Sequence, residues 1–160
     1  REEDVEAIWN ELGMKPGYAV GLCVRSVKAC PGTTFCKRGQ QDSLGLGMKF
    51  DEKYHSMEMP NKFKIGVSGC PNNCADAPVC DVGLTGMPKG WKLWAGGCLG
   101  ARPRLGEIIA ENLTTEQVEA AVDRIVEWFK ENGKRNERLG RAIDRVGMEN
   151  FKQAVLDVSV

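Results

Sequence analysis

Four cysteines in two short clusters are the residues of this chain whose type and spacing can do chemistry: Cys30 and Cys36 in ACPGTTFC, then Cys70 and Cys74 in VSGCPNNC. A C-x5-C followed by a C-x3-C supplies four thiolates, and each pair is crowded with the Gly, Pro and Asn that tight ligand loops need. Such a set reads as a tetra-thiolate cofactor site. Zinc also takes four thiolates, but structural zinc knuckles commonly space each pair by about two to four residues, and the first interval here is longer. Disulfides within each cluster are geometrically conceivable. Against them, seven cysteines is an odd count and no secretory signal is legible. Iron and sulfur fit better, because a cubane takes one thiolate per iron and tolerates ligands from separated loops.

The second cluster lies in KIGVSGCPNNCADAPVCDVGLTG, followed by GWKLWAGGCLGARPRLGEIIAENLTTEQV. These runs resemble the iron–sulfur and siroheme-binding repeat of the sulfite and nitrite reductases, and Cys30 and Cys36 stand where that family places its first cysteine pair. The resemblance extends from about Tyr18 to about Gly147. It implies a 4Fe-4S cluster on Cys30, Cys36, Cys70 and Cys74 and a siroheme whose iron shares the sulfur of Cys74, the last cysteine of the four. It also implies siroheme contacts for Ser68 and Asn72, although both residue types bond their own backbone in tight loops. Pro71 restricts the loop and removes one backbone donor beside the cluster.

Substrate chemistry is less legible. Reducing a small oxyanion needs cations to attract it and to supply protons. Arg25 and Lys28, on the approach to Cys30, are the nearest candidates, with a plain surface pair as their ordinary explanation. His55 is the only histidine, so a histidine relay has little support. Cys23, Cys80 and Cys98 fall outside the matched positions and read first as small buried hydrophobes. Together they imply a reducing compartment.

The 160 residues, 42% hydrophobic, suffice for one domain with a core. Acidic and basic residues balance at 22 each, so no net field favours nucleic acid or an anionic membrane. A soluble cytoplasmic protein is expected. The chain opens at Arg1 in an amphipathic pattern, which is read as residues 1–17 closing a truncated N-terminal segment and residues 18–160 forming the reductase domain.

The elements that must position the cysteines form a mixed set. Val5, Ile8, Trp9 and Leu12 recur at helical spacing, and Gly13 with Pro16 ends that helix. A buried strand is expected over Tyr18–Val24, a helix over Lys37–Tyr54, and a strand over Lys62–Val67 leading into the second pair. DVGLTG and WKLWAGG read as a hairpin, with Trp91 and Trp94 on opposite faces. The many glycines from Gly83 to Gly106 are expected to let backbone approach a macrocycle. The last third reads as helical: Thr114 or Thr115 caps a helix with Val118, Ala121, Val122, Ile125, Val126 and Phe129 inward, closed by Gly133. A second helix follows with Leu139, Ile143 and Val146 inward. Arg135, Arg138, Arg141 and Arg145 make a basic stripe expected to be solvated.

The fold class expected is therefore α+β: a mixed β-sheet with flanking helices, cofactor-binding loops after two strands, and a helical C-terminal third. The activity expected from the resemblance is reduction of sulfite to sulfide, or of nitrite to ammonia. Electrons would come from an external donor such as a ferredoxin-like protein, because no dinucleotide or flavin fingerprint is present. The competing class is a cluster- or siroheme-binding electron-transfer subunit that needs a partner.

Overall fold

The computed structural model describes residues 1–14, 16–17 and 19–156. At its centre is a mixed sheet of β1 (Lys28–Ala29), β2 (Ile65–Ser68), β3 (Val82–Met87), β4 (Gly90–Ala95) and β5 (Glu107–Leu113), in that spatial order. β1, β2 and β3 run parallel, and β3, β4 and β5 are antiparallel neighbours. Parallel neighbours need a crossover. Between β1 and β2 it contains helices α2 (Gly32–Phe35) and α3 (Ser43–Tyr54). Between β2 and β3 it is the segment 69–81, whose only regular structure is a 3-10 turn at Ala77–Val79. The fold is thus α+β, a mixed sheet with flanking helices.

One face of the sheet carries the helices. Ile65, Val67, Val82, Leu84, Trp91 and Leu93 share a core with Leu46 and Phe50 of α3, Val122, Ile125 and Phe129 of α4 (Thr115–Asn132), Ile143 of α5 (Leu139–Val146) and Phe151 of α6 (Met148–Val155). Each such buried side chain contributes roughly 1.5–3 kcal/mol. The other face lies under the segment 69–81. A Cβ on Gly66 would stand 2.6 Å from the Ala75 carbonyl oxygen and 2.8 Å from Cys80 Sγ, and one on Gly83 would strike the Ala77 backbone. β2 is accordingly buried along its whole length.

Several elements form where the sequence places them. Thr114 caps α4 and Gln117 reciprocates in a capping box, worth about 1 kcal/mol. Gly133 ends α4 in an extended conformation, and glycine is needed because a Cβ would stand 2.6 Å from the Phe129 ring. The hairpin closes with Met87 opposite Gly90. α1 (Val5–Leu12) forms on its apolar spacing and stops at Gly13 with φ 63°, although none of its residues is buried.

Other expectations are corrected. No strand forms over 19–24. Only Cys23 and Val24 make isolated bridges, to Glu58 and Phe63, because Gly21 at φ 101° breaks the extended run. Tyr18 lies outside the described residues. The helix expected from Lys37 starts at Ser43, where the Asp42 carboxylate accepts the Gly45 N–H at 2.9 Å. Gly39 is instead pressed against Gly32, so close that a Cβ would lie 2.5 Å from its carbonyl carbon. The strand before the second cysteine pair begins at Ile65 because the Lys64 amide is taken by the Asp81 carboxylate at 2.9 Å.

The C-terminal third opens with β5, not a helix. Register shifts opposite Trp91, Leu93 and Trp94 erase the period-two pattern that would announce it. The basic stripe is divided. Arg138 turns inward onto the fully buried Asp81, Nε and Nη2 donating at 3.1 and 2.7 Å, and Arg145 pairs with Glu137 at 2.8 Å. Arg135 and Arg141 remain exposed. Among the described residues, no helix is long and apolar enough to cross a membrane.

Candidate metal centre

The parallel pairing of β1 with β2 sets Ala29 opposite Val67, so the two cysteine loops leave the sheet side by side. The Cys30 N–H donates to the Val67 carbonyl at 3.0 Å, and the Gly69 N–H donates to Cys30 Sγ at 3.1 Å. The Gly69 carbonyl accepts from the amides of Gln40 and Gln41 at 2.8 and 3.0 Å. This clamps the second loop to the return of the first. A Cβ at Gly69 would stand 2.7 Å from Gly32 Cα and 2.8 Å from both the Gln41 carbonyl oxygen and Ser43 Oγ. Gly69→Ala is therefore expected to cost about 1–3 kcal/mol by overpacking and to part the loops. Its thermal midpoint should fall below that of the wild-type protein.

The four cysteines differ in exposure. Cys30 and Cys36 are half-buried, Cys70 is 7% exposed, and Cys74 is exposed. None is disulfide-bonded. Cys36 ends α2, its N–H donating to the Gly32 carbonyl at 2.9 Å. Burial pushes the Cys30 thiol up, but the Gly69 N–H, the Ser43 hydroxyl and the Gly32 N–H outweigh it, so its net pKa lies below the usual thiol range. Donors aimed at a sulfur favour the thiolate that binds metal. Among the described residues, no three His, Cys, Asp or Glu side chains are grouped to hold a single metal ion. Four thiolates set one to each iron of a cube have a different spacing from four on one ion. The donor chemistry of the paired loops suits such a cube.

The loop after Cys70 is held from beneath. Ser68, 1% exposed, accepts the Ala75 N–H on its Oγ at 3.0 Å. Asn73 and Asp76 take positive φ values of 52° and 54°. Thr85 donates to Asn73 Oδ1 at 2.6 Å and accepts from Trp94 Nε1 at 3.1 Å. Trp91 faces the helical core at 1% exposure, opposite Trp94, as strand alternation predicts. Asn73, Thr85, Ser43 and Asp81 carry this architecture without any sequence motif to mark them. The resemblance pointed instead to Ser68, which is buried, and Asn72, which is exposed.

Arg25 and Lys28 come together beside a pocket of about 220 Å³ that Lys64, Asp76 and Cys80 also line. Lys28 pairs with Asp76 at 2.6 Å, and that hydrogen bond raises its pKa against the opposing effect of burial. Arg25 donates Nη2 to the Gly21 carbonyl at 3.0 Å, while its buried Nε meets no acceptor among the described residues. Cys80 is a buried thiol whose pKa rises to about 11 through burial and the nearby Asp81 charge. Cys23 is 7% exposed and its thiol lies 3.5 Å from the Val20 carbonyl. Cys98 is half-buried, bridging to Arg104.

The glycines from Gly83 to Gly106, expected to admit a macrocycle, stand against the protein's own atoms at every position but Gly100. A Cβ at Gly86 would lie 2.5 Å from the Gly69 carbonyl oxygen, at Gly96 3.1 Å from Gly140 Cα, and at Gly106 3.1 Å from the Ala95 carbonyl oxygen.

Comparison with known proteins places these features in a family. The model of the nitrite and sulphite reductase 4Fe-4S domain matches residues 20–159, and the chain belongs to that family. It is 42% identical over 156 residues to an assimilatory-type sulfite reductase of Nitratidesulfovibrio vulgaris, covering 98% of this chain and 72% of the relative. It is 34% identical over 157 residues to a nitrite reductase [NAD(P)H] of Bacillus subtilis, of which it spans 20%. Among solved structures, dissimilatory sulfite reductase I superposes with a TM-score of 0.86 at 16% identity over 96% of this chain and 57% of that one. The NirA protein of Mycobacterium tuberculosis superposes with a TM-score of 0.79 at 23% identity, covering 93% of this chain and 30% of that one. These two likenesses establish the fold.

Proposed function

We propose that Cys30, Cys36, Cys70 and Cys74 hold a 4Fe-4S cluster and that Cys74 also ligates the iron of a siroheme, in a domain beginning near residue 18 that reduces sulfite to sulfide or nitrite to ammonia. The observation that carries this reading is the contrast in exposure. Three of the four cysteines are partly or wholly buried, and Cys74 alone is exposed, where a second metal centre could reach it. When bound, a cluster and siroheme joined in this way supply several electrons to one small anion. The protein's part is to place the thiolates, aim the Gly69 N–H at Cys30, and keep water from Cys70. Asn72 is exposed, as Cys74 is, and is the polar side chain left to contact the siroheme, while Ser68 supports the loop from below. Arg25 and Lys28 are the cations at hand to attract an oxyanion, Lys28 exposed but paired with Asp76 and Arg25 half-buried. An external electron donor of ferredoxin type completes the scheme.

Iron and acid-labile sulfide analysis of purified protein, an absorption spectrum, and oxidation of a reduced dye on adding sulfite or nitrite test the reading. Four irons, four sulfides, isobacteriochlorin bands and anion-dependent oxidation are expected. Zinc in place of iron, or cysteines joined as native disulfides, would overturn it. A cluster without siroheme would favour an electron-transfer subunit, a role compatible with the 20% share of the nitrite reductase that this chain spans.

A further inference from the structure

We infer that the Ser43 hydroxyl donates a hydrogen bond to the Cys30 thiolate of the bound cluster, making Ser43 a positioning residue that raises the cluster's reduction potential. The inference rests on the reading that Cys30 ligates iron.

Ser43 is fully buried, with Oγ 2.9 Å from the Cys30 carbonyl oxygen and 3.2 Å from Cys30 Sγ. It is not needed to cap α3, because Asp42 does that. Both cysteine loops leave space for this hydroxyl: a Cβ on Gly32 would overlap Ser43 Oγ, and one on Gly69 would stand 2.8 Å from it. While Cys30 carries its proton, the thiol can donate to Ser43 Oγ and the hydroxyl to the Cys30 carbonyl. Ligation removes the thiol proton and leaves a sulfur that only accepts. The hydroxyl hydrogen then reaches that sulfur by rotation about the Cβ–Oγ bond with no heavy atom moving, and an anionic acceptor makes this the stronger bond. The hydroxyl would thus join the Gly69 N–H at 3.1 Å as a further donor to Cys30. An added electron makes the cluster sulfurs more negative, so donors stabilise the reduced form more than the oxidised form.

Ser43→Ala removes the hydroxyl without adding volume. In holoprotein with iron and sulfide counted first, its cluster midpoint, followed by electron paramagnetic resonance during reductive titration, is expected to move to a more negative potential than in the wild type. An unchanged midpoint in a fully loaded variant overturns the inference. Should the variant not retain its cluster, the wild type decides. Hydroxyl protons exchange far faster than buried amides, so its Fe–S(Cys) stretching bands should shift at once on transfer to D2O. Bands that do not move in this early phase also overturn the inference. Wild-type protein lacking iron and sulfide would instead sink the cluster reading itself, which separates the two failures.

Discussion

Cys74→Ser protein is expected to lose sulfite- or nitrite-dependent dye oxidation, by more than the roughly 10–100-fold that changes around a metal's ligands usually cost. Serine has no thiolate to share between two iron centres, and Cys74 is the exposed member of the set. The remaining three cysteines stay in their clamped loops, so under the proposed function residual iron can persist while the proposed spectroscopic coupling between cluster and siroheme disappears. Cys23→Ser is the matched control. Cys23 is buried against the Val20 carbonyl, where a serine hydroxyl can make the same contact, so the change should lower stability and leave activity per loaded site intact. Equal loss of activity in both variants, measured against siroheme and iron content, would contradict the assignment.

Arg138→Met is expected to destabilise the fold by about 3–5 kcal/mol, the usual cost of leaving a buried charge without its partner. Asp81 is fully buried, and its carboxylate accepts both Arg138 nitrogens and the Lys64 amide. It thereby ties α5 to the start of β3 and to the approach to β2. For a domain of this size the loss corresponds to a fall in Tm of roughly 6–20 °C. Adding Asp81→Asn to Arg138→Met should recover much of it, because the amide oxygen can still accept from Lys64 and no buried charge remains. A double variant no more stable than Arg138→Met would show that the cost lay in packing rather than in the stranded carboxylate. Calorimetry of the three proteins distinguishes the cases.

The parts of the fold that were legible in the sequence are those built from local signals. Thr114 with Gln117, the apolar stripe of α4, the closing Gly13 and the hairpin around Met87 each depend on residues a few positions apart, and each formed as expected. The failures share a different cause. Lys62–Lys64 alternates like a strand, yet the Lys64 amide is claimed by Asp81, 17 residues later. β5 is real, but its pattern is blurred by bulges that exist only once β4 is beside it. Arg138 fits a solvated stripe by spacing and is turned inward by a carboxylate 57 positions away.

By itself the sequence determined the inventory of candidate ligands, since a C-x5-C and a C-x3-C in turn-forming loops state which atoms can bind metal and how far each pair can spread. Only the tertiary structure decided how those atoms are set. It put the two loops side by side through parallel strand pairing, left Cys74 open while enclosing Cys70, and brought Ser43 and the Gly69 amide to Cys30. The physical reason is range. Spacing within a loop is set by a few backbone dihedrals, whereas burial and hydrogen bonding at a sulfur depend on surfaces that meet only after the chain has closed on itself.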